Sequence, residues 1–347
     1  MKMVFRWYGE DDPVTLKYIK QVPCISGIVS ALYNVQVGEN WPLSKIEELK
    51  RRVESKGLGF EVIESVPVHE DIKLGLPTRD TYIENYKETI RNLSKMGIKV
   101  ICYNFMPVFD WTRSQLDKVL DDESTTLVYY KEQIKDMNPL DGSLSLPGWD
   151  SSYKLDELQD LFEKYSHITE EKLWENLEYF LKQIVPVAEQ NDIKMAIHPD
   201  DPPWPIFGLP RIITGEKALE RLVKIYDSPS NGLTICTGSL GASKDNNVVK
   251  IIEKFTPLGK VHFVHARNVK LLEDGSFEES AHLSNCGSMD MTEILKALYE
   301  GGFTGYIRPD HGRMIWGETG KAGYGLYDRA LGAMYLTGIW EAIKKQK

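Results

Sequence analysis

His198, Cys236, His265 and Asp310 are four metal-capable side chains, and each closes a short run rich in β-branched residues: KMAIHPDD, GLTICTGS, KVHFVHARN and GYIRPDHG. The runs follow one another along the chain, about one strand-and-helix unit apart. Divalent metals need ligands that converge from rigid supports, and neighbouring strand ends supply that from residues far apart in sequence. No local ligand pair such as CxxC or HExxH is present, so placement at strand ends carries the inference. Taken singly, each residue has a plainer explanation. A buried cysteine is usually a small hydrophobe, and a histidine near a strand end can simply be hydrogen-bonded. Together they point to one site. A thiolate, two imidazoles and a carboxylate suit Fe(II), Zn(II) or Mn(II) better than Mg(II), which prefers oxygen ligands and keeps its waters. With coordination positions left open, such a cation acts as a Lewis acid toward a hydroxyl or carboxylate and stabilises an enolate as a proton leaves.

Polar residues around these four suggest the rest of a reaction. His311 directly follows Asp310, and an imidazole is the side chain best suited to proton transfer near neutral pH. Tyr324, between glycines in KAGYGLYDRALG, can bring a phenol into the site just ahead of the last helix. Arg267 and Asn268 follow His265, while Arg308, Arg313 and Lys321 cluster near the last strand. These cations suit an anionic substrate, and arginine can grip a carboxylate with two parallel hydrogen bonds. Tyr8 and Asn104 stand at strand ends where a hydroxyl or amide could bind a polyol. His282, with Cys286 in EESAHLSNCGSMD, is a further candidate substrate contact, and Ser288 in the same loop could cap the following helix. Each has a structural alternative: packing for the aromatic residues, hydrogen bonding for the histidines, solvated charge for the cations. The turn TGSLG (237–241) lacks the lysine and repeated glycine spacing of a phosphate cradle.

What must position these residues is an alternation of β-rich runs with amphipathic stretches, repeated eight times. Strands are expected over 3–8, 25–32, 58–65, 99–105, 194–199, 233–238, 261–267 and 305–310. Helices are expected over 44–57, 79–97, 169–191, 216–227, 246–255 and 289–302, the first with Ser44 as cap, Glu47 at the capping-box position and Gly57 as terminator. Alternating strands and helices imply right-handed crossovers and a parallel sheet. Eight units in one chain of this length indicate an α/β (β/α)₈ TIM barrel, and FRWYGEDDP after the first strand lacks the glycine fingerprint of an open dinucleotide-binding sheet.

The rhythm breaks after the fourth strand. Residues 106–168 hold MPVFDWTRSQ, a helix pattern around 124–136, the turn NPLDG and the aromatic SLPGWDSSY. Loops this long in a compact domain are usually functional or disordered; the Phe, Trp and Tyr content favours a folded excursion, and this one leaves from the face where barrel enzymes keep their chemistry. A lid or a dimer arm inserted into a single 1–347 domain is the expectation, with surface elaboration as its alternative. After the fifth strand, PDDPPWPIFGLPRI (199–212) should form a stiff wall, because proline fixes the chain without ladder hydrogen bonds.

Bulk properties narrow the partners. The chain has 347 residues, 42% of them hydrophobic, which is ample for a buried core. A formal net charge of −9 without a basic stripe argues against nucleic acid as partner. No leader pattern or long apolar run is visible, so no membrane association and a cytoplasmic location are expected. Four scattered cysteines do not make a disulfide framework.

AIHPDDPP, HARN and RPDHGR, with MVFRWYG, ICTGSLG and GYGLYDRALG, resemble the single-metal mannonate dehydratases, relatives of the xylose-isomerase-like barrels, along essentially the whole chain. The resemblance implies removal of water from D-mannonate to give 2-dehydro-3-deoxy-D-gluconate in hexuronate breakdown. It implies one Mn(II) or Fe(II) ion on His198, Cys236, His265 and Asp310. Loss of the C2 proton and the C3 hydroxyl requires a metal, a base and an acid. His311 and Tyr324 would share the proton transfers, and Arg267 or Lys321 would neutralise the substrate carboxylate. A homodimer is expected. The rivals are a metal-dependent isomerase or epimerase on the same barrel, a barrel nuclease, and a binding protein with a closed structural metal.

Overall fold

The computed structural model describes residues 1–141 and 153–346. Twelve strands run along the described chain: β1 (Lys2–Arg6), β2 (Gly27–Ser30), β3 (Gly59–Glu64), β4 (Val100–Tyr103), β5 (Gln115–Val119), β6 (Thr125–Tyr129), β7 (Lys194–Ile197), β8 (Asn231–Cys236), β9 (Val261–Ala266), β10 (Asn268–Leu271), β11 (Phe277–Ser280) and β12 (Tyr306–Pro309). Eight of them close a parallel barrel in the order β1-β12-β9-β8-β7-β4-β3-β2. These are the eight strands expected from periodicity, and the chain is a (β/α)₈ TIM barrel. Most expected ends run past the strands because polar residues such as His198 and Asp310 make one last backbone bond, to Tyr103 and Ala266 of the neighbouring strands, where the regular ladder stops.

Side-chain alternation decides which residues face the interior. Val4, Val62, Cys102, Ala196, Phe263 and Tyr306 belong to one buried cluster inside the barrel. Two residues further along the same strands come Arg6, Glu64, Asn104, His198, His265 and Arg308, all at the C-terminal end. The register pairs Cys236 with His265 and His265 with Arg308, so the polar layer is continuous across β8, β9 and β12.

Helices wrap the barrel and bury their apolar faces against it, among them Leu43–Glu54, Arg79–Lys95, Glu170–Gln190, Glu216–Ile225, Val248–Phe255 and Met291–Glu300. The first begins at Leu43 with Pro42, not Ser44, at the cap position, and it has no side-chain cap because proline carries no side-chain acceptor. The last is capped by Asp290, not Ser288, whose hydroxyl instead accepts from the Leu271 amide. Phe180 of Glu170–Gln190 is fully buried and meets Tyr86, Tyr103 and Phe105.

Outside the barrel lies a four-stranded sheet, β10-β11-β6-β5, antiparallel throughout. It joins residues from the 106–168 segment to the chain after β9. The helix expected around 124–136 therefore divides: Thr125–Tyr129 is strand and only Lys131–Asp136 is helical. β-Branched and aromatic side chains there find strand partners, which override a weak helical spacing. A further helix spans Leu155–Tyr165. The turn after Asn138 is formed by Asn138 Oδ1 accepting from the Leu140 amide, while SLPGWDSSY lies outside the described residues apart from Tyr153.

Candidate active site

A cavity of about 380 Å³ opens at the C-terminal mouth of the barrel. Its wall includes Tyr8, Asn104, His198, Arg308, Asp310, His311, Lys321 and Tyr324, together with Arg6, Glu64 and Trp111. Cys236 and His265 are wholly buried just beneath.

His198 Nε2 and His265 Nδ1 stand 3.1 Å apart. Their outer contacts decide which nitrogens carry hydrogen. His198 Nδ1 lies 2.6 Å from the Pro199 carbonyl, which can only accept, so this nitrogen donates. Arg308 Nη2 reaches His265 Nδ1 at 3.4 Å, and guanidinium can only donate, so that nitrogen is an acceptor. His198 Nε2 thus faces the lone pair of His265 Nδ1 across a gap that a cation or a proton carried by His198 must bridge. Cys236 Sγ completes a group whose ligand atoms all lie within 4.8 Å of one another. Burial alone would raise this thiol, but Arg267 and His198 hold it well below its ordinary range, and the Ser239 hydroxyl and amide reach the sulfur at 3.0 and 3.4 Å. Asp310 Oδ2 is 3.6 Å from the same sulfur. The surplus of negative charge is large enough to overcome desolvation and lift His198 to about 9, Cys236 and Asp310 being the main causes. Softness, burial and charge of this donor set fit a divalent cation.

Beside Asp310 the groups for proton transfer form a line. His311 Nε2 and the Tyr324 hydroxyl are 2.8 Å apart, and His311 Nδ1 faces Glu279 Oε1 at 3.2 Å. Burial would raise the Glu279 carboxyl, but Arg267, Arg113 and His311 hold it at about 2. It is therefore ionised and accepts from Nδ1–H, which leaves Nε2 as the acceptor of the phenol proton. Burial, reinforced by Tyr8 and Asp310, keeps the Tyr324 phenol protonated far above its ordinary range. Trp111 packs on His311 with ring centroids 4.9 Å apart, and Tyr8 meets Tyr324 edge-on at 4.9 Å.

Arg113, Asp201, Arg267 and Glu279 form a buried quartet behind this line. Arg113 bonds Asp201 at 2.8 and 3.1 Å and Glu279 at 2.6 Å. Arg267 bonds Asp201 at 2.6 Å, meets Glu279 closely, and turns its Nε to Asp310 at 2.9 Å. A Cβ at residue 238 would fall 2.5 Å from the Arg267 guanidinium, so glycine in the short helix Thr237–Gly241 makes room for that arginine.

The structure brings most of the expected residues together and leaves two aside. Arg267 is fully buried with its donors committed to carboxylates and Ser239, so it does not reach the cavity as a substrate contact. His282 is buried against Gly332 and does not line the cavity, because the chain leaving β11 turns beneath the helix Tyr327–Lys345. Arg308 lines the cavity but already bonds Glu64 at 3.0 and 2.8 Å and forms an ion pair with Asp310 at 2.6 Å. Asn104 lines it too, with its amide holding Asp110 and the Met106 amide at the start of the long excursion. Lys321 holds its ammonium 4.5 Å from the Tyr8 ring centre. Sequence reasoning missed Glu64, Arg6, Trp111, Arg113, Asp201 and Glu279. Counting inward-facing positions along β1 and β3 would have found the first two.

A model of the D-mannonate dehydratase (UxuA) family matches residues 1–347. A mannonate dehydratase of Streptococcus uberis is 60% identical over 345 residues, 99% of each chain. The crystal structure of mannonate dehydratase from Streptococcus suis serotype2 superposes with a TM-score of 0.93 at 51% identity, covering 100% of this chain and 95% of that one. A D-tagatose 3-epimerase-like protein has a TM-score of 0.58 at 16% identity over 100% of this chain and 99% of its own, a likeness of barrel alone. Among the described residues no helix is long and apolar enough to cross a membrane.

Proposed function

The chain belongs to the D-mannonate dehydratase family, and from that premise we propose that D-mannonate loses water in the cavity at the barrel mouth, with His311 as base and Tyr324 as acid. The enzyme is a hydro-lyase acting on D-mannonate. The observation that carries the assignment is the 2.8 Å contact between His311 Nε2 and the Tyr324 hydroxyl on the cavity wall. His198, Cys236, His265 and Asp310 would hold one Mn(II) or Fe(II) ion, which when bound supplies a Lewis acid that spreads the charge developing as the C2 proton leaves.

The C2 proton beside a carboxylate is weakly acidic, and its removal needs a base within hydrogen-bond reach. Glu279 holds Nδ1–H of His311, so the lone pair is on Nε2, and it takes the C2 proton once the Tyr324 hydroxyl turns from it to the C3 oxygen of the substrate. The buried phenol of Tyr324 keeps its proton and can give it to the departing C3 hydroxyl, which leaves as water. The C2–H electron pair becomes the C2–C3 double bond. The resulting enol takes a proton at C3 and loses the one on its C2 oxygen, giving the ketone 2-dehydro-3-deoxy-D-gluconate, a product of hexuronate breakdown. Lys321, over the Tyr8 ring, is the cation we assign to the substrate carboxylate, with Tyr8 and Asn104 toward the hydroxyls. Trp111 lies over His311 and shields this step from water. The protein is expected to act in the cytoplasm as a homodimer.

His311→Gln and Tyr324→Phe should each lower turnover of D-mannonate by roughly 10² to 10⁴, followed as formation of the 2-keto-3-deoxy acid, with metal content unchanged. Near-normal turnover in either variant removes that residue from the proton transfers.

A further inference from the structure

Glu64 enters the mouth from β3, on the far side of the barrel from β9 and β12. Its carboxylate is nearly buried, with 14% of the side chain exposed, and nothing in hydrophobic packing calls for a charge there. Every oxygen is used. Oε2 lies 3.1 Å from His265 Nε2 and 3.0 Å from Arg308 Nε. Oε1 lies 2.8 Å from Arg308 Nη2 and 3.2 Å from Arg6 Nη1. His265 Nε2 makes no well-aligned hydrogen bond among the described residues, and the Glu64 carboxylate 3.1 Å away is the anionic acceptor set beside it. The remaining nitrogen of Arg308, Nη1, stands 2.6 Å from Asp310 Oδ1. One carboxylate therefore touches a proposed ligand directly and a second through a two-pronged arginine.

We propose that Glu64 is the positioning residue of the metal centre, fixing the His265 ring so that Nδ1 faces the cation and fixing Asp310 through Arg308. This rests on the reading that His198, Cys236, His265 and Asp310 hold a divalent metal. A carboxylate that accepts the outer N–H of a ligating imidazole sets its tautomer, restrains its rotation and makes the inner nitrogen more basic. Arg308 gains a second role by the same contact: with Nε and Nη2 committed to Glu64, only Nη1 is left to Asp310, whose other oxygen faces Cys236 Sγ at 3.6 Å.

The test uses full-length, metal-free protein and Mn(II) alone as probe. Wild type, Glu64→Gln and Glu64→Ala are titrated by calorimetry and by loss of the free Mn(II) electron paramagnetic resonance signal. Glu64→Gln keeps the shape and an acceptor oxygen but not the charge, so it guards against a misfolded alanine variant. The expected result is a 10- to 100-fold weaker Mn(II) dissociation constant for the glutamine variant, and a loss at least as large for alanine. At saturating Co(II), both should keep the thiolate-to-cobalt absorption of wild type, because Glu64 does not touch Cys236. Wild-type affinity in Glu64→Gln, with the defect appearing only in KM for D-mannonate, would overturn the proposal and make Glu64 a substrate contact. Absence of Mn(II) binding by wild type would instead sink the metal reading itself, and is seen before any variant is compared.

Discussion

Glu279→Gln tests the reasoning about the buried quartet most severely. Glutamine has the shape of a protonated glutamate, so the substitution holds the protein permanently in a state that wild type reaches only in acid. Glu279 is 1% exposed, so solvent screening does not dilute the effect. Arg267, Arg113 and His311 outweigh its burial and hold the carboxyl at about 2, somewhat over two units below an ordinary glutamate near ~4.3. At roughly 1.4 kcal/mol per unit this amounts to about 3 kcal/mol of folding stability. The sign follows from a depressed pKa: the contribution is complete above the unfolded value near ~4.3 and fades as pH falls toward the folded value of about 2. Urea unfolding of metal-free wild type and variant should therefore show a gap of about 3 kcal/mol at pH 7 that starts to narrow below about pH 4. Turnover should fall as well, by roughly 10² or more, because the side-chain amide no longer dictates which nitrogen of His311 carries hydrogen. A gap under about 1 kcal/mol, or one that stays constant through the acid range, would refute the account.

Cys236→Ser should lose most of its affinity for Mn(II) or Fe(II), because a hydroxyl is a poor replacement for a thiolate in a mixed nitrogen and sulfur site; metal content after dialysis checks this, and a full complement of metal would count against Cys236 as ligand. Phe180→Ala should cost about 3 to 5 kcal/mol by opening a cavity between the barrel and its longest described helix, read as a lower urea midpoint with the active-site geometry intact. A cost under about 1 kcal/mol would mean that Tyr86, Tyr103 and Phe105 collapse into the space.

The barrel was legible because eight β-rich runs and six amphipathic stretches each carry a local period, and the closed sheet reproduces all eight strands. His198, Cys236, His265 and Asp310 were legible for the same reason, since a polar residue closing an apolar run stands out. Glu64 and Arg6 did not, because a charge buried in a barrel mouth is written with the same letter as a charge in water. Glu279 and Arg113 were hidden more deeply. Gln115–Val119 is too polar to read as a strand, and the sheet that unites it with β6 and β11 is assembled from excursions far apart in the chain, so no local window contains its logic. Arg267 shows the opposite error: its place after a strand end suggested a grip on substrate, whereas its partners are Asp201, Glu279 and Asp310.

The quartet of Arg113, Asp201, Arg267 and Glu279 draws one member from each of four segments, and His311 with Tyr324 comes later still. During synthesis, when N-terminal parts emerge and condense first, the ribosome has released nearly the entire polypeptide before this machinery can exist. The thiol of Cys236 is made well ahead of the carboxylate of Asp310, so for that interval a nascent chain carries an unfinished binding pocket. Closing the cylinder with β12 brings Asp310 to Cys236, and only the stretch after it delivers Lys321, Tyr324 and the helix Tyr327–Lys345 that complete the reactive centre.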